Sequence, residues 1–254
     1  MENCKPISTP SDPNVKLSKD FGSNKNSTES ELKRIPYQEA VGCLLYLSQA
    51  TRPDIAFAVN DVSRFNSTYN LAHWTAVKRI FRYLKGTADL KLRYSKESGS
   101  DIYGFCDADY ASDVDKRRSC TGYIFKLSNA AVTWHSKRQP TVALSTTEAE
   151  YLSMSAAVRE ALWLKQFVNE LDRSSTNTIP INCDNMSSIE LAEVEGFRNR
   201  TKHIDVRHHH IRDMINEGVV SIKYIPSEEM AADNLTKAVP RDKHQFCVKQ
   251  CGLC

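Results

Sequence analysis

An apolar stretch near the middle of the chain, GFCDADYASD at residues 104–113, carries acidic side chains within what its pattern predicts to be a buried strand. Side chains of a strand alternate between two faces, so Asp107 and Asp109 should share a face with the aromatic residues Tyr103 and Phe105. Buried carboxylates repel one another unless a cation or a hydrogen-bond donor compensates them. The fold must therefore bring compensating groups to Asp107 from other parts of the chain.

The composition is that of an ordinary folded protein of 254 residues, which is enough for one large domain or two modest ones. Apolar residues make up 41% and charged residues 26%, so a hydrophobic core can form. The net charge of +3 is too small to prove a nucleic-acid partner, although the positive charges are clustered. No apolar run predicts a membrane span, and the first residues lack the apolar core of a secretory signal.

The eight cysteines lack the paired spacing of a disulfide framework, which predicts a reducing, intracellular environment. Three of them, Cys247, Cys251 and Cys254, lie close together in the C-terminal stretch CVKQCGLC. A structural zinc site normally has four protein ligands, and no CxxC partner or histidine pair lies nearby in the sequence. For this tail, at residues 241–254, we favour reduced cysteines on a terminal helix over a thiolate metal site.

The sequence pattern divides the rest of the chain into three segments. Residues 1–34 are rich in Ser, Asn, Lys and Pro and predict an irregular lead-in or linker. Residues 35–98 predict three helices, the second with Pro53 near its start and the third ending at Gly86, and this helical segment carries no obvious chemistry. Residues 99–240 have the different pattern of a second domain.

Strand and helix patterns follow one another between residues 99 and 240. Three short strands separated by polar turns predict a meander. The stretch STTEAEYLSMSAAVREALWLKQFVNEL then predicts a long helix whose apolar face includes Trp163 and Phe167. A strand ending at Asp184, two helices, a strand and a last helix complete the order. This order predicts an α/β fold with a mixed sheet flanked by helices.

Three further acidic residues occupy positions comparable to that of Asp107. Glu150 lies in the first turns of the long helix, Asp184 at the end of an apolar strand and Asp233 in the last helix. Four carboxylates that converge at one edge of a sheet would form the oxygen-rich site that Mg²⁺ or Mn²⁺ prefers. Single acids at such positions are also common as helix caps and solvated groups, so spacing alone leaves both interpretations open.

Several motifs, in this order, resemble the ribonuclease H domain of copia-type LTR retrotransposon Pol polyproteins. They are DADYASDVDKRRSCTGYIF, VTWHSKRQPTVALSTTEAEYLSM, INCDNMSSIELA, TKHIDVRHHHIRD and IPSEEMAADNLTKAVP. Upstream, AVGCLLYLSQATRPDIAFAV and AVKRIFRYLKGT resemble the segment that follows the reverse transcriptase palm, so the resemblance covers nearly the whole chain. No polymerase, protease or integrase zinc motif is present, and we expect a C-terminal piece of such a polyprotein that does not polymerise DNA by itself.

The resemblance implies a ribonuclease H-like five-stranded mixed sheet flanked by helices and preceded by a small helical segment. It implies that two Mg²⁺ ions, with Mn²⁺ as an alternative, are bound by the catalytic residues Asp107, Glu150, Asp184 and Asp233. Asp109 would be a neighbour rather than a ligand. Many ribonucleases H carry a histidine shortly before the last acid, and YIPSEEMAADN has none, so Glu228 or Glu229 substitutes for it or the branch dispenses with it.

Glu148 and Glu150 lie two residues apart on the long helix and should point to nearly opposite sides of it. Glu148 suits the first helical turn, where the helix dipole stabilises a negative charge without any metal. In the resembling family the acid immediately before an aromatic or aliphatic residue is the ligand, which selects Glu150 before Tyr151.

Two groups of basic residues are candidate contacts for the phosphates of a nucleic acid. The first lies in FRNRTKHIDVRHHHIR and comprises Arg198, Arg200, Lys202, His203 and Arg207. Its three consecutive histidines cannot all face one ion, because helix residues are about 100° apart. The second group includes Lys78 and Arg82 near helical spacing, and a solvated helix face explains it equally well. The turn DKRRS at residues 115–119 has the same ambiguity.

These observations predict a Mg²⁺-dependent ribonuclease H that cuts the RNA strand of RNA–DNA hybrids during retrotransposon reverse transcription. Its expected partner is the polymerase part of the same Pol polyprotein, with no membrane partner. Its expected localisation is intracellular, in a cytoplasmic virus-like particle, without excluding the nucleus. The alternative is a catalytically inactive or domesticated relic that binds nucleic acid or protein through the same surface.

Overall fold

The computed structural model describes residues 1, 3–22, 29–96, 99, 101–171, 178–193 and 202–254, without the side chains of residues 29, 30 and 202–208. The described chain begins with an irregular stretch, continues into a helical segment and then forms a sheet covered by helices on both faces. Within this described part, no helix has both the length and the apolar character needed to cross a lipid bilayer.

The helical segment has its own hydrophobic core. Its elements are α1 (Glu29–Lys33), α2 (Tyr37–Ala50), a 3-10 turn (Pro53–Ile55), α3 (Ala56–Ser63) and α4 (Leu71–Gly86). Helix α4 begins where the Asn70 side chain accepts hydrogen bonds from the backbone N–H groups of Ala72 and His73, at 2.9 and 3.2 Å. The apolar sides of α2, α3 and α4 meet around Leu44 and Val77, so this segment folds as a packed unit.

Residues 3–22 form no helix or strand, and they lie along the basic side of α4. Arg79 pairs with Asp12 at 3.2 Å, and Arg82 Nε donates to the backbone oxygen of Lys5 at 2.8 Å. Lys85 Nζ donates to the backbone oxygen of Cys4 at 3.1 Å. This part of the lead-in is therefore irregular in conformation but fixed to α4 by ionic and hydrogen-bond contacts.

The sheet contains five strands in the order β3-β2-β1-β4-β5. They are β1 (Tyr103–Asp109), β2 (Cys120–Leu127), β3 (Ala130–Arg138), β4 (Ile179–Cys183) and β5 (Val220–Tyr224). Strands β1, β2 and β3 form an antiparallel meander, whereas β4 pairs parallel with both β1 and β5. This arrangement confirms the predicted ribonuclease H-like mixed sheet with a helical segment before it.

Helices cover both faces of the sheet. The remaining ones are α5 (Thr146–Leu171), α6 (Met186–Glu193), α7 (Lys202–Asn216), a 3-10 turn (Ser227–Glu229), α8 (Asp233–Thr236) and α9 (Arg241–Gln250). Helix α5 packs on the face that includes Cys106 and Ile181, and α8 and α9 pack on the face that includes Phe105 and Ile124. Alternation along β1 therefore directs Asp107 to the α8 side, as the sequence pattern predicts.

The prediction that Trp163 and Phe167 belong to the buried apolar face of α5 is wrong. These side chains are 51% and 45% exposed, and their rings stack on each other with centroids 5.4 Å apart. The buried face near them is instead formed by Ala161 and Leu164. Small residues on α5 allow it to approach the sheet, and the large aromatic rings then lie outside the contact.

Glycine at position 122 allows α8 to reach the sheet beside Asp107. Gly122 is the β2 residue paired with Asp107 in the antiparallel register. A Cβ atom at position 122 would lie 2.6 Å from Thr236 Cγ2 and 2.9 Å from Leu235 Cβ, which is closer than packed atoms approach. The absence of a side chain at Gly122 therefore permits the close packing that brings the α8 residues to Asp107.

A buried polar network joins the helical segment to α9. The Tyr83 hydroxyl donates to Asp54 Oδ2 at 2.6 Å, and Arg52 donates to both oxygens of Asp54 at 2.9 and 2.7 Å. His244 Nε2 lies 3.0 Å from the Tyr83 hydroxyl, and burial lowers the pKa of His244 to about 4. His244 is therefore neutral at pH 7, so it adds no uncompensated positive charge to this junction.

The C-terminal tail is ordered and packs against the rest of the protein. Cys247 and Cys251 are buried, Cys254 is exposed, and all eight cysteines of the chain are free thiols. The backbone oxygens of Cys251 and Cys254 accept hydrogen bonds from Ala131 and Lys91, both at 2.9 Å. These contacts attach the tail to the edge strand β3 and to the connection that precedes β1.

Candidate active site

Asp107 lies at the centre of the acidic site, near the end of β1, and is 2% exposed. Its Oδ2 atom accepts a hydrogen bond from the hydroxyl of Thr236 and lies 3.6 Å from Lys237 Nζ. Burial raises the pKa of Asp107 to about 6, with Lys237 and Thr236 opposing the rise and Asp233 and Asp184 adding to it. The compensating groups that the sequence pattern requires for Asp107 therefore come from α8 and the residue after it.

Asp233, the first residue of α8, is 4% exposed and pairs with two lysines. Lys237 forms an ion pair with Oδ1, and Lys243 Nζ lies 2.9 Å from Oδ2. Lys243 also donates to the backbone oxygens of Ser227 and Glu228 at 2.7 and 2.8 Å. Burial lowers the pKa of Lys237, but Asp107 and Asp233 outweigh that effect and raise it. Lys237 therefore stays protonated, and its ammonium group lies between the two carboxylates.

The sequence analysis missed both lysines. For Lys237 a signal was present, because Asp233 and Lys237 are four residues apart in DNLTK and such residues lie on the same side of a helical turn. For Lys243 no local signal exists, since it comes from α9 and reaches Asp233 only through the tertiary fold.

Glu150 lies in the second turn of α5 and is 7% exposed. Its Oε2 atom is buried and has no hydrogen-bond partner among the described residues. Burial raises the pKa of Glu150 to about 10, and the charges of Asp107, Cys183 and Asp184 add to the rise. A buried carboxyl oxygen without a hydrogen-bond partner, beside other acids, is the arrangement expected of a group whose partner is a ligand.

Glu148 has a different environment, as expected from its position on the helix. Its Oε2 accepts a hydrogen bond from the backbone N–H of Leu144 at 2.8 Å. The backbone N–H of Glu148 donates to Ser145 Oγ at 3.1 Å, so both residues cap the start of α5. The structure thus gives Glu148 a capping contact and places Glu150 in the acidic cluster.

Asp184 follows β4 directly and lies beside Glu150 and Cys183. Ser227 Oγ donates to Asp184 Oδ2 at 2.7 Å. One potential ligand atom from each of Glu150, Cys183 and Asp184 lies within 4.8 Å of the others. A hydrogen bond from Cys106, on the neighbouring strand, lowers the pKa of the Cys183 thiol. The sequence analysis assigned Cys183 no role, although it immediately precedes a strand-end acid in INCDN.

The four predicted acids therefore come together from β1, α5, the end of β4 and α8. Oxygen donors dominate this cluster, which is the donor set that Mg²⁺ and Mn²⁺ prefer, and the unpaired Glu150 Oε2 fits a bound cation. Asp109 lies two residues further along β1 and is half-buried; burial raises its pKa, and Lys237 opposes that rise. The residues present fit a divalent cation.

The predicted nucleic-acid contacts are only partly within the described structure. Arg198 and Arg200 lie outside the described residues. Lys202, His203 and Arg207 belong to α7, but their side chains are not described. Lys78 and Arg82 lie on α4, where Arg82 already contacts Lys5. The assignment of these seven residues to hybrid binding stays a prediction.

An open groove of about 530 Å³ beside strands β2 and β3 is lined by four basic side chains. They are Arg118, Lys137, Arg138 and Arg159. Gln139 forms part of the wall, and its Nε2 donates to Thr121 Oγ1 at 3.1 Å and to the backbone oxygen of Ala149 at 2.9 Å. Thr121 pairs with Ala108 in the sheet, one residue from Asp107. Apart from Arg118 in the DKRRS turn, these side chains were not singled out from the sequence.

The chain is similar in sequence to transposon polyproteins. It is 44% identical over 255 residues to the retrovirus-related Pol polyprotein from transposon TNT 1-94 of Nicotiana tabacum, covering 100% of this chain and 19% of that protein. It is 35% identical over 253 residues to that from transposon RE1 of Arabidopsis thaliana, covering 100% of this chain and 17% of that protein. The chain thus spans less than a fifth of these relatives. No protein-family model matches it.

A solved ribonuclease H1 isolated from compost superposes with a TM-score of 0.42 and 15% identity. The superposition covers 54% of this chain and 93% of that one. A TM-score this low supports no assignment of residues or activity. The fold is defined by the strand order and pairing given above.

Proposed function

The chain belongs to the retrovirus-related Pol polyproteins of copia-type transposons, and we propose that its residues 99–240 hydrolyse the RNA strand of RNA–DNA hybrids. The domain is of ribonuclease H type. The observation that carries the proposal is the convergence of Asp107, Glu150, Asp184 and Asp233 from four separate elements. Convergence of this kind is costly in the absence of a cation, so a structural role alone explains it poorly.

The four carboxylates would hold two Mg²⁺ ions, with Mn²⁺ as the alternative. When bound, such ions activate a water and stabilise the leaving oxygen in an in-line displacement at phosphorus. Within the chain, Lys237 holds the carboxylates of Asp107 and Asp233 in position, and Ser227 orients Asp184 through its hydroxyl. Burial of Asp107 and Glu150 excludes bulk water from that side of the cluster. The proposed products carry a 3′-hydroxyl and a 5′-phosphate.

Recognition of the hybrid would depend on its backbone rather than its sequence. The basic groove beside Thr121 offers phosphate contacts, and phosphate contacts carry no base information. The 2′-hydroxyl would identify the RNA strand, so we expect weak sequence preference. The polymerase part of the same polyprotein is the proposed protein partner, and the intracellular localisation in a virus-like particle is likewise proposed.

A non-catalytic relic is the second candidate, and one observation favours it. Lys237 and Lys243 compensate Asp107 and Asp233 without any metal, so this half of the cluster would survive the loss of catalysis. Glu150 argues for the enzyme, because nothing in the described chain compensates its Oε2 atom.

Cleavage of a labelled RNA–DNA hybrid with and without Mg²⁺, next to double-stranded RNA and double-stranded DNA, tests the proposal. We expect Mg²⁺-dependent cleavage of the hybrid alone, and Asp184→Asn should abolish it. The matched control is Glu190→Gln, which changes an exposed acid on α6 and should cut at the parental rate. Tight hybrid binding without cleavage in Mg²⁺ or Mn²⁺ would select the relic instead.

A further inference from the structure

We propose that Cys183, together with Glu150 and Asp184, forms a binding site for a thiophilic divalent cation such as Zn²⁺, and that this cation competes with Mg²⁺. The competition rests on the proposed function, because Glu150 and Asp184 are proposed Mg²⁺ ligands. The binding site itself rests only on the positions of the three side chains.

The geometry of the three side chains suits a cation with mixed sulfur and oxygen ligands. Their ligand atoms lie within 4.8 Å of one another. Metal–ligand bonds of about 2.0–2.3 Å place the ligands of a tetrahedral zinc ion about 3.5 Å apart, so a side-chain adjustment of about 1 Å closes the site. Three protein ligands leave the fourth position to water, as in zinc sites that stay open to solvent.

Two features of the site point to a ligand rather than to a simple cluster of acids. Glu150 is 7% exposed, and its Oε2 atom has no hydrogen-bond partner in the described part of the chain. Cys183 is fully buried, and its Sγ atom contacts Ser188 Oγ at 3.5 Å, which fixes the thiol at the end of β4. Asp184 is half-buried and therefore leaves a path for an ion from solvent.

The chemistry of the donors separates this site from the proposed Mg²⁺ site. Mg²⁺ takes oxygen ligands, whereas a thiolate selects Zn²⁺ and similar cations. Binding would form a metal–sulfur bond at Cys183 and a metal–oxygen bond at Glu150, and it would release the thiol proton of Cys183 and the carboxyl proton of Glu150 to water, without oxidation of any group. Because the same ion would occupy Glu150 and Asp184, its binding should stop Mg²⁺-supported cleavage.

Absorption spectroscopy with Co²⁺ as a probe tests the site without any activity measurement. Added to the reduced, metal-free full chain, Co²⁺ should produce a sulfur-to-cobalt charge-transfer band, which an equimolar amount of Zn²⁺ removes and an equimolar amount of Mg²⁺ does not. Cys183→Ser should abolish this band. The matched controls Cys43→Ser and Cys254→Ser, which change exposed cysteines, should keep it.

A second variant keeps the test decisive if Cys183→Ser does not fold. Glu150→Gln leaves every thiol in place and should weaken Co²⁺ binding by about tenfold or more. Absence of the band in the parent, its survival in Cys183→Ser, or unchanged Co²⁺ affinity in Glu150→Gln would each overturn the site. If the parent binds Zn²⁺ at this site and still cleaves hybrid in Mg²⁺, the competition is refuted. A parent that never cleaves hybrid refutes the nuclease and leaves the spectroscopic result valid.

Discussion

Replacing Glu150 with Gln should stabilise the metal-free protein while abolishing cleavage. Folding raises the pKa of Glu150 from 4.5 to about 10, chiefly through burial. The unfolded carboxyl therefore loses its proton above about pH 4.5, while the folded one keeps it, and stability falls by about 1.4 kcal/mol per pH unit in that window. At pH 7 this loss of unfolding free energy reaches at most about 3 kcal/mol. The amide side chain of the Glu150→Gln variant does not ionise, so this variant should not lose stability as the pH rises.

Urea unfolding at several pH values between 4 and 8, with a chelator present, measures the effect. The two proteins should be equally stable near pH 4, and the advantage of Glu150→Gln should grow as the pH rises. Glu148→Gln is the matched control, because its carboxylate caps α5 and it should lose about 0.3–1 kcal/mol without a growing advantage. Equal pH dependence in parent and Glu150→Gln would refute the burial argument.

Single-turnover cleavage of hybrid by the same two variants separates their roles. Glu150→Gln should be inactive and Glu148→Gln active, since the first removes a proposed metal ligand and the second a cap. An active Glu150→Gln together with an inactive Glu148→Gln would reverse the assignment.

Further predictions concern the other charged groups. Asp107→Asn should abolish cleavage and leave the circular dichroism spectrum unchanged; cleavage at the parental rate would remove Asp107 from the site. Lys237→Gln should lower the melting temperature of the metal-free protein, and Mg²⁺ should raise it more than in the parent, because Asp107 and Asp233 lose an ammonium group; equal shifts would contradict this role. We expect the combined replacement of Arg198, Arg200 and Lys202 with alanine to weaken hybrid binding equally for all hybrid sequences. It should also reduce the slope of log affinity against log salt concentration by about three. An unchanged slope would indicate that these residues lie on a solvated face.

The elements that carry Asp107 and Glu150 were predictable from the sequence because the signals for these elements are local. Period-two alternation along β1 shows that Asp107 shares a face with Phe105, and the order of elements predicts a mixed sheet. Helical spacing separates Glu148 from Glu150 without any knowledge of what surrounds them. The expectation that the four acids converge at one site then rested on the resemblance to a known family, since spacing alone does not bring distant residues together.

Contacts made between distant elements could not be predicted in the same way. Lys243 reaches Asp233 only because α9 packs behind α8, and Lys5 reaches Arg82 only because the lead-in lies along α4. The exposure of Trp163 follows from how closely α5 approaches the sheet, which hydrophobic periodicity does not report. Each of these positions depends on tertiary packing rather than on local pattern.

The two halves of the acidic cluster differ in what compensates them, and this difference predicts where a cation is needed. Lys237 and Lys243 already offset the charge of Asp107 and Asp233, so a cation at Asp233 must displace or share an ammonium group. Glu150 has no such partner at Oε2, and its neighbours are acids and a thiol. A cation there takes the place of the proton that Glu150 retains and displaces no ammonium group. The Glu150–Asp184 half should therefore bind the first divalent ion more tightly, with an affinity that rises with pH.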